Sequence, residues 1–283
     1  MEKEPYSDRF RVVPGQKLRL DEIDPNGTDL HTGKAEALDE IQNYAERMRE
    51  LQHLLYAEDR RSLLFVLQGM DTAGKDGTIR HVLGYMNPQG CRVIPFRVPT
   101  PEEAAHDFLW RAHRAAPARG QVAIFNRSHY EDVVIARVHE LVPESVWRSR
   151  YDRIHEFERL LHEGGTHIIK FFLHISPEEQ LQRLRRRVED PHRQWKISES
   201  DFAERQYWSS YQTAYEEALQ RCSTENAPWF VIPANHKWFR NLAVSRIVVE
   251  RLETLNMQFP PPRVDLDAIR RTYLPALEGK KKS

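Results

Sequence analysis

The stretch that decides the fold is Gly69-Met-Asp-Thr-Ala-Gly-Lys-Asp-Gly77, which follows the apolar run Ser62-Leu-Leu-Phe-Val-Leu67. An apolar strand, a glycine-rich turn and a lysine that opens a helix are typical of a phosphate-binding P-loop. In such a loop, backbone N–H groups point at anionic oxygens, and the helix N-terminus adds its positive end. The sequence therefore predicts a P-loop in which phosphate contacts the following residues: Met70, Ala73, Gly74, Lys75, Asp76, Gly77 and Thr78.

Two carboxylates distinguish this loop from the usual GxxxxGK[ST] pattern. Asp76 stands where a Ser or Thr hydroxyl normally meets Mg²⁺, and Asp71 lies inside the loop. Because carboxylates repel polyphosphate unless a cation lies between them, the pattern favours a metal-dependent phosphoryl-transfer site over ordinary ATP hydrolysis. The alternative is a chance glycine-rich turn, which the strand signal before it and the helix signal after it disfavour.

Composition narrows the function classes. The 283 residues suit one α/β domain with elaborations, and equal numbers of Lys+Arg and Asp+Glu, 42 each, argue against general nucleic-acid binding. We expect no membrane association, because the charged start has no apolar signal core and no apolar run approaches a spanning length. Cys91 and Cys222 have no metal-spaced partner, which favours two buried thiols in a reducing cytoplasm.

Apolar runs alternate with amphipathic stretches along the chain, which predicts an α/β fold with a mostly parallel, five-stranded sheet covered on both faces. The predicted strands are Leu63–Leu67, Cys91–Phe96, Val122–Phe125, His167–Ile175 and Trp229–Ile232. The predicted helices are Lys34–Asp59, Thr78–Met86, Pro101–Ala115, His129–Glu140, Ser145–Glu163, Pro177–Arg187, Ser200–Arg221 and Trp238–Leu255.

Three segments follow from this pattern. Residues 1–35 have turn residues and little periodicity, which indicates an extended N-terminal arm. Residues 36–275 form the predicted P-loop domain, with a helical lid at about 177–215. Residues 276–283, which are rich in lysine, are expected to be a flexible tail.

A second constellation follows the strand Val122-Ala-Ile-Phe125. In P-loop enzymes the neighbouring strand often ends in an acid that holds Mg²⁺. Here Asn126 takes that position, Arg127 follows, and Glu131 and Asp132 come one helical turn later. We predict that Asp71, Asn126, Glu131 and Asp132 bind metal, and that Arg127 pairs with phosphate. The alternative is that the two acids only complement the dipole of a helix N-terminus.

The segment from Arg183 to Lys196 is strongly basic, with six Lys or Arg residues and two acidic residues. Arg183 and Arg187 are four residues apart and share a helix face. An arginine-rich turn between two helices is typical of a kinase lid that closes on the transferring phosphate. The alternative is a solvated charged face. The aromatic residues that follow, Tyr207, Trp208, Tyr211 and Tyr215, favour a core stripe over base stacking.

Four motifs in this order resemble the polyphosphate kinase 2 family: GMDTAGKDG, FNRSHYED, EDPHRQWKIS and STENAPWFVIPANHKW. The resemblance covers about Phe10 to Tyr273. It implies a P-loop kinase core of the thymidylate-kinase type, a three-layer sandwich, and Mg²⁺-dependent, reversible phosphoryl transfer from polyphosphate to nucleotides, with Mn²⁺ as a substitute metal. The implied partners are polyphosphate, AMP, ADP, ATP and further copies of the chain.

The family's roles carry over to residues of this sequence. The resemblance assigns catalysis to Asp71, Lys75, Arg127, Arg183 and Arg187. It assigns nucleotide binding to Asn126, Arg127, Glu131, Asp132 and Arg137, and polyphosphate contacts to Lys196 of the lid and to Arg111. Asn126 with the Glu131-Asp132 pair is similar to the class III subgroup, which accepts both nucleoside monophosphates and diphosphates.

Two other functions remain open at this stage. One is an ATP-dependent kinase for a nucleoside monophosphate or another small acceptor. The other is a non-catalytic nucleotide-binding switch, against which no NKxD-like guanine-reading segment is found.

Overall fold

The sheet confirms the predicted fold class. A computed structural model describes residues 4–28, 31 and 33–274, and in it five parallel strands lie in the order β2-β3-β1-β4-β5. The strands are β1 (Ser62–Gln68), β2 (Cys91–Pro95), β3 (Val122–Asn126), β4 (Thr166–His174) and β5 (Trp229–Pro233). All seven residues of β1 are buried, as expected of a central strand covered on both faces.

Twelve α-helices surround the sheet in the described part of the chain. They are α1 (Tyr6–Arg9), α2 (Lys34–Glu58), α3 (Lys75–His81), α4 (Pro101–Ala104), α5 (Trp110–Ala115), α6 (Glu131–Val138), α7 (Glu144–Glu163), α8 (Pro177–Glu189), α9 (Glu199–Ala203), α10 (Trp208–Cys222), α11 (Lys237–Glu253) and α12 (Leu266–Tyr273). Helix α2 packs on α11, and α6 packs on α7 and α10, which gives the three-layer arrangement. None of the described helices is long and apolar enough to cross a membrane.

Three predicted helices differ from those observed. The stretch Pro101–Ala115 forms two short helices, α4 and α5. The stretch predicted over Ser200–Arg221 is divided into α9, a 3₁₀ turn at Glu204–Tyr207, and α10. The helix predicted from Thr78 to Met86 begins at Lys75 and ends at His81, because the P-loop glycines place its N-terminus earlier.

The N-terminal arm packs on the body of the protein. Val12 N–H donates to the Trp229 carbonyl and Val231 N–H donates to the Phe10 carbonyl, so the arm covers the edge of β5. Cys222 is buried, whereas Cys91 is only partly buried, so the prediction of two buried thiols is only half right. The predicted flexible tail, residues 276–283, lies outside the described residues.

Parallel pairing brings the two predicted functional loops together. Leu67 lies opposite Asn126 in the register of β1 and β3; β3 ends at Asn126 and β1 ends one residue after Leu67. The P-loop and the loop after Asn126 therefore meet at the carboxyl edge of the sheet, where ligands bind in doubly wound folds.

Candidate active site

The P-loop is held in a tight arc by its own lysine. Gly69, Thr72 and Gly74 all have positive φ, at 147°, 65° and 113°. The Nζ of Lys75 donates to the carbonyls of Gly69 (2.7 Å) and Met70 (3.2 Å). Burial and the nearby Arg127 lower the pKa of Lys75 to about 8. A phosphate that binds here would therefore contact a lysine ammonium that is already shielded from water.

A buried arginine that the sequence analysis missed lies beneath the loop. A Cβ added to Gly74 would lie 2.0 Å from Nη1 of Arg240, and one on Gly77 would lie 3.1 Å from Nη2. These glycines therefore allow Arg240 of α11 to pack against the first turn of α3. Burial and the charge of Arg183 lower the pKa of Arg240 to about 10. A second fixed cation thus supports the phosphate-binding loop from below.

Arg183 does not face the phosphate as predicted for a lid residue. Its Nη1 donates to the carbonyls of Thr72 and Ala73 (2.9 Å each), and its Nη2 donates to those of Ala234 (2.6 Å) and Asn235 (3.0 Å). Its Nε donates to Glu179 at 2.7 Å. A guanidinium has five N–H donors, so none is left for a ligand. Arg183 therefore ties the P-loop to the end of β5.

Thr78 also differs from its predicted role. Its side chain is buried, and its hydroxyl donates to the Gly74 carbonyl at 3.2 Å. The hydroxyl therefore stabilises the first turn of α3, and the structure does not present it to a ligand.

An arginine bridges two carboxylates at the mouth of the P-loop. Arg127 Nη2 donates to Asp71 Oδ1 at 2.7 Å, and its Nη1 donates to Glu131 Oε2 at 3.3 Å. The backbone of Arg127 has φ 61°, which turns this residue towards the P-loop. Burial raises the pKa of Glu131, although Arg127 and Lys75 oppose that shift. The structure thus brings together four of the predicted residues: Asp71, Lys75, Arg127 and Glu131.

A second contact joins the P-loop, β3 and the lid. The Asn126 side-chain amide donates to Asp76 Oδ1 at 2.8 Å, and Lys196 Nζ lies 3.7 Å from Asp76 Oδ2. Lys196 is therefore at the P-loop as predicted. Arg187 has only a 4.0 Å contact with Asp201 within the lid. The contact of Arg187 with phosphate therefore stays a prediction.

Asp132 lies apart from the other predicted metal ligands. Its carboxylate lies 3.3 Å from Arg111 and 3.8 Å from Arg150. Arg111 also donates to the Arg97 carbonyl at 2.8 Å. Since adjacent helical residues point in different directions, Glu131 faces Arg127 while Asp132 faces these arginines. Glu131 is the better metal-ligand candidate.

Arg137 is also separated from the P-loop mouth. Its Nη1 donates to Glu217 at 2.6 Å, and its guanidinium lies 4.6 Å from the centre of the Trp147 ring. It does not line the pocket beside the P-loop. The structure therefore does not support its predicted role in nucleotide binding.

The residues present fit a magnesium ion shared with substrate. Within the described ranges, no three His, Cys, Asp or Glu side chains gather into a complete metal site. Mg²⁺ usually needs only one or two carboxylates, with phosphate oxygens and water completing its shell. Asp71 and Glu131 are held near each other by Arg127, and Asn126 offers an amide oxygen. These three residues would hold the ion.

A narrow pocket opens between the P-loop mouth and the base of the lid. Its volume is about 40 Å³, so the lid must move for a nucleotide to enter. Its lining residues are Gly69, Met70, Asp71, Arg127, Glu131, Ile135, Gln180, Glu204, Arg205, Trp208, Tyr211 and Tyr215. The aromatic stripe predicted as core is thus only partly core: Tyr215 is buried, while Trp208 and Tyr211 are partly exposed in the pocket. Helical spacing alone could not separate the two roles.

Cations gather on the α11 side of the P-loop. We define the α11 cluster as Arg80, His81, Arg186, Arg193, Lys237 and Arg240. Burial, followed by the charges of Arg183, Arg186, Arg193 and Arg240, lowers the pKa of Lys237. Over the described ranges, Arg80, Lys237 and Arg240 form no ion pair within 4.0 Å. Elsewhere in the cluster, Arg193 pairs with Asp190 at 2.8 Å, Arg186 lies 4.0 Å from Glu179, and Arg240 is buried. The exposed cations of the cluster without an ion pair in these ranges are therefore Arg80 and Lys237, and their charge is suited to a polyanion.

A P-loop ahead of a helix, an arginine bridging two carboxylates and a helical lid together define a P-loop kinase. Residues 31–260 match the family model "Polyphosphate kinase 2 (PPK2)". The chain belongs to the polyphosphate kinase 2 family.

Two curated relatives and one solved structure show how extensive the likeness is. An AMP/ADP-polyphosphate phosphotransferase of Meiothermus ruber is 50% identical over 92% of this chain and 98% of its own. An ADP-polyphosphate phosphotransferase of Rhodopseudomonas palustris is 43% identical over 89% and 91%. The crystal structure of polyphosphate kinase 2 from Arthrobacter aurescens TC1 is 42% identical, with a TM-score of 0.92, over 96% of this chain and 97% of that chain.

Proposed function

We propose that this protein transfers the terminal phosphate of inorganic polyphosphate to AMP and to ADP. Membership of the polyphosphate kinase 2 family and the names of the similar proteins from Meiothermus and Rhodopseudomonas support this proposal. An ATP-dependent small-molecule kinase would need no extended cation surface beside its P-loop. The α11 cluster is therefore the observation that carries the proposal.

The donor is assigned to the α11 side of the loop. Lys237 begins α11, a helix of 17 residues whose N-terminus adds positive potential. Arg80 and His81 end α3, one turn beyond the P-loop, and burial followed by Arg240, Arg80 and Lys237 lowers the pKa of His81. A chain of phosphates has charge along its whole length, so it gains from such a surface without any base recognition.

The acceptor is assigned to the pocket on the other side of the P-loop mouth. Arg127 and Glu131 line its phosphate end, and Trp208 and Tyr211 provide apolar surface for a base. Donor and acceptor would therefore approach the same lysine, Lys75, from opposite sides. This arrangement suits in-line transfer, which needs positioning and charge stabilisation more than covalent help.

The chain's own residues supply most of that stabilisation. Lys75 would leave the carbonyls of Gly69 and Met70 to meet the transferring phosphate. Arg127 would exchange its bond to Asp71 for a bond to phosphate, which frees the carboxylate. Mg²⁺, which Asp71, Glu131 and Asn126 would hold, would neutralise part of the phosphate charge. Lid closure through Lys196 would exclude water from the reacting groups.

Use of both AMP and ADP, as in class III, is the finer part of the proposal. Glu131 lies beside Arg127 at the phosphate end of the pocket, where it could place a metal or the phosphate of the shorter acceptor. We also propose that the transfer is reversible, that the metal is Mg²⁺ or Mn²⁺, and that the protein works as a homo-oligomer in the cytoplasm.

The test uses purified protein with Mg²⁺, long-chain polyphosphate as the sole donor, and AMP as the acceptor. ADP followed by ATP should appear on chromatography. If AMP gives only ADP, and ADP supplied as the substrate gives no ATP, the proposed use of both acceptors is contradicted. Turnover with ATP but none with polyphosphate would contradict the proposed donor and favour a small-molecule kinase.

A further inference from the structure

Glu204 lines the acceptor pocket, and one of its two carboxylate oxygens has no hydrogen-bond partner among the described residues. It lies in the 3₁₀ turn between α9 and α10 and lines the pocket beside Tyr211. Its Oε2 accepts a hydrogen bond from the Tyr211 hydroxyl at 2.8 Å and one from His139 Nε2 at 3.0 Å. Both bonds use the same oxygen, and Oε1 has no partner in the described part of the chain. Oε1 is not among the buried atoms that lack a partner, so it is exposed to solvent.

The two supporting side chains fix the direction of that oxygen. A carboxylate only accepts hydrogen bonds, and His139 Nε2 also lies 3.1 Å from the Tyr211 hydroxyl oxygen, so the three groups form one closed cluster. Burial, reinforced by the bond to Glu204, raises the pKa of Tyr211, so its hydroxyl stays protonated and remains a donor. The ring of Tyr207 also packs edge-on against His139, with centroids 5.0 Å apart. The carboxylate is thus held in a defined direction before any ligand arrives.

Glu204 lies at the end of the pocket remote from the phosphates. Glu131, Ile135 and His139 follow one another at four-residue spacing along α6 and its C-cap. At 1.5 Å per residue, His139 is about 12 Å along the helix from Glu131. A nucleotide whose phosphate meets Arg127 would therefore extend its sugar and base towards Glu204. The apolar surfaces of Ile135 and Trp208 at this end favour a planar base over a ribose.

We propose that Oε1 of Glu204 accepts a hydrogen bond from the exocyclic amino group of the acceptor's base, and that this contact selects adenine over hypoxanthine. Hypoxanthine has a 6-oxo group in place of the 6-amino group. Two acceptors would then face each other without a proton, which sites built for hydrogen bonding reject strongly. This inference rests on the proposed function, because it assigns the base end of the same acceptor pocket.

The test compares kcat/KM for AMP and for IMP with polyphosphate as donor. We expect the wild type to prefer AMP by about 10-fold, equivalent to about 1.4 kcal/mol, because IMP leaves a polar group without its partner. Glu204→Gln should reduce or reverse the preference, because its amide can donate to the 6-oxo group. Glu199→Gln, the same change at an exposed lid position, should leave the preference unchanged.

A second variant separates recognition from folding. Tyr211→Phe removes one of the two bonds to Oε2 and should weaken the preference for AMP in the same direction, by less than Glu204→Gln. Equal losses with AMP and IMP in both variants would show a structural role and overturn the inference. A changed preference for AMP over 2′-deoxy-AMP, with the AMP-to-IMP ratio unchanged, would assign Glu204 to the ribose and also overturn it. Absence of any polyphosphate-dependent turnover in the wild type would instead reject the proposed function.

Discussion

Replacing Arg183 tests whether this arginine supports the P-loop from within the protein. Its side chain is only 6% exposed, and all five N–H donors are engaged. Hydrogen bonds to charged groups contribute about 1.5–3 kcal/mol each, but water and local relaxation recover part of that loss. By analogy with breaking a buried ion pair, Arg183→Met should lower the free energy of unfolding by about 3–5 kcal/mol.

The matched control is Arg187→Met on the same helix. Arg187 has only its 4.0 Å contact with Asp201, so its loss should cost less than about 1 kcal/mol. Urea unfolding of both variants would give the two free energies, and steady-state kinetics would give kcat and the KM for polyphosphate. Arg183→Met should also lower kcat, because the carbonyls of Thr72 and Ala73 lose their anchor.

One result would refute this reasoning. If Arg183→Met is as stable as wild type and changes only the dependence of rate on polyphosphate length, the arginine reaches the donor directly. The five bonds seen here would then belong to a resting state that the lid leaves on closing.

Of three other predictions, two concern groups at the P-loop mouth and the third concerns the buried ion pair of Lys170 in β4 with Glu158 in α7. Lys75 binds phosphate when it is protonated, and its pKa is lowered to about 8. The contact is therefore present below that pH and is lost above it. Above pH 8 the KM for polyphosphate should rise by up to about 10-fold per pH unit. A flat profile from pH 7 to about 10 would contradict this charge-dependent role. Glu131→Asn should impair AMP use more than ADP use, whereas Asp132→Asn should affect both acceptors alike. The same ratio of AMP use to ADP use in the two variants would reject the assignment of Glu131. Lys170→Met should cost about 3–5 kcal/mol in urea unfolding, because it leaves the buried Glu158 carboxylate without its cation, and a loss under about 1 kcal/mol would contradict that pairing.

The sheet and the meeting of two loops at its edge could be predicted from the sequence. Each strand is mostly apolar, although β2 contains Arg92 and β4 contains His167 and Lys170, and glycines or polar residues lie near the strand ends. Because parallel strands end at one edge, the sequence also indicated that the P-loop and Arg127 lie together. Asp71, Lys75 and Glu131 followed from that placement.

The depth of individual side chains could not be predicted. Arg183 and Arg187 share a helix face, yet one is buried under the P-loop and the other is partly exposed in the lid, since only tertiary packing sets their depth. Arg240 lies on a helix whose pattern indicates only amphipathicity, and Gly74 leaves the space it fills. Glu204 belongs to a short turn that the sequence pattern had placed inside one long helix.

The measurement that tests the central claim most directly is the KM for each substrate after charge removal from the α11 cluster. The double variant Lys237→Gln with Arg186→Gln should raise the KM for polyphosphate by about 10-fold, equivalent to about 1.4 kcal/mol, and leave the KM for AMP unchanged. Arg153→Gln, which removes an exposed charge from α7, should alter neither value. A higher KM for AMP with an unchanged KM for polyphosphate would contradict the assignment of donor and acceptor to opposite sides of the P-loop.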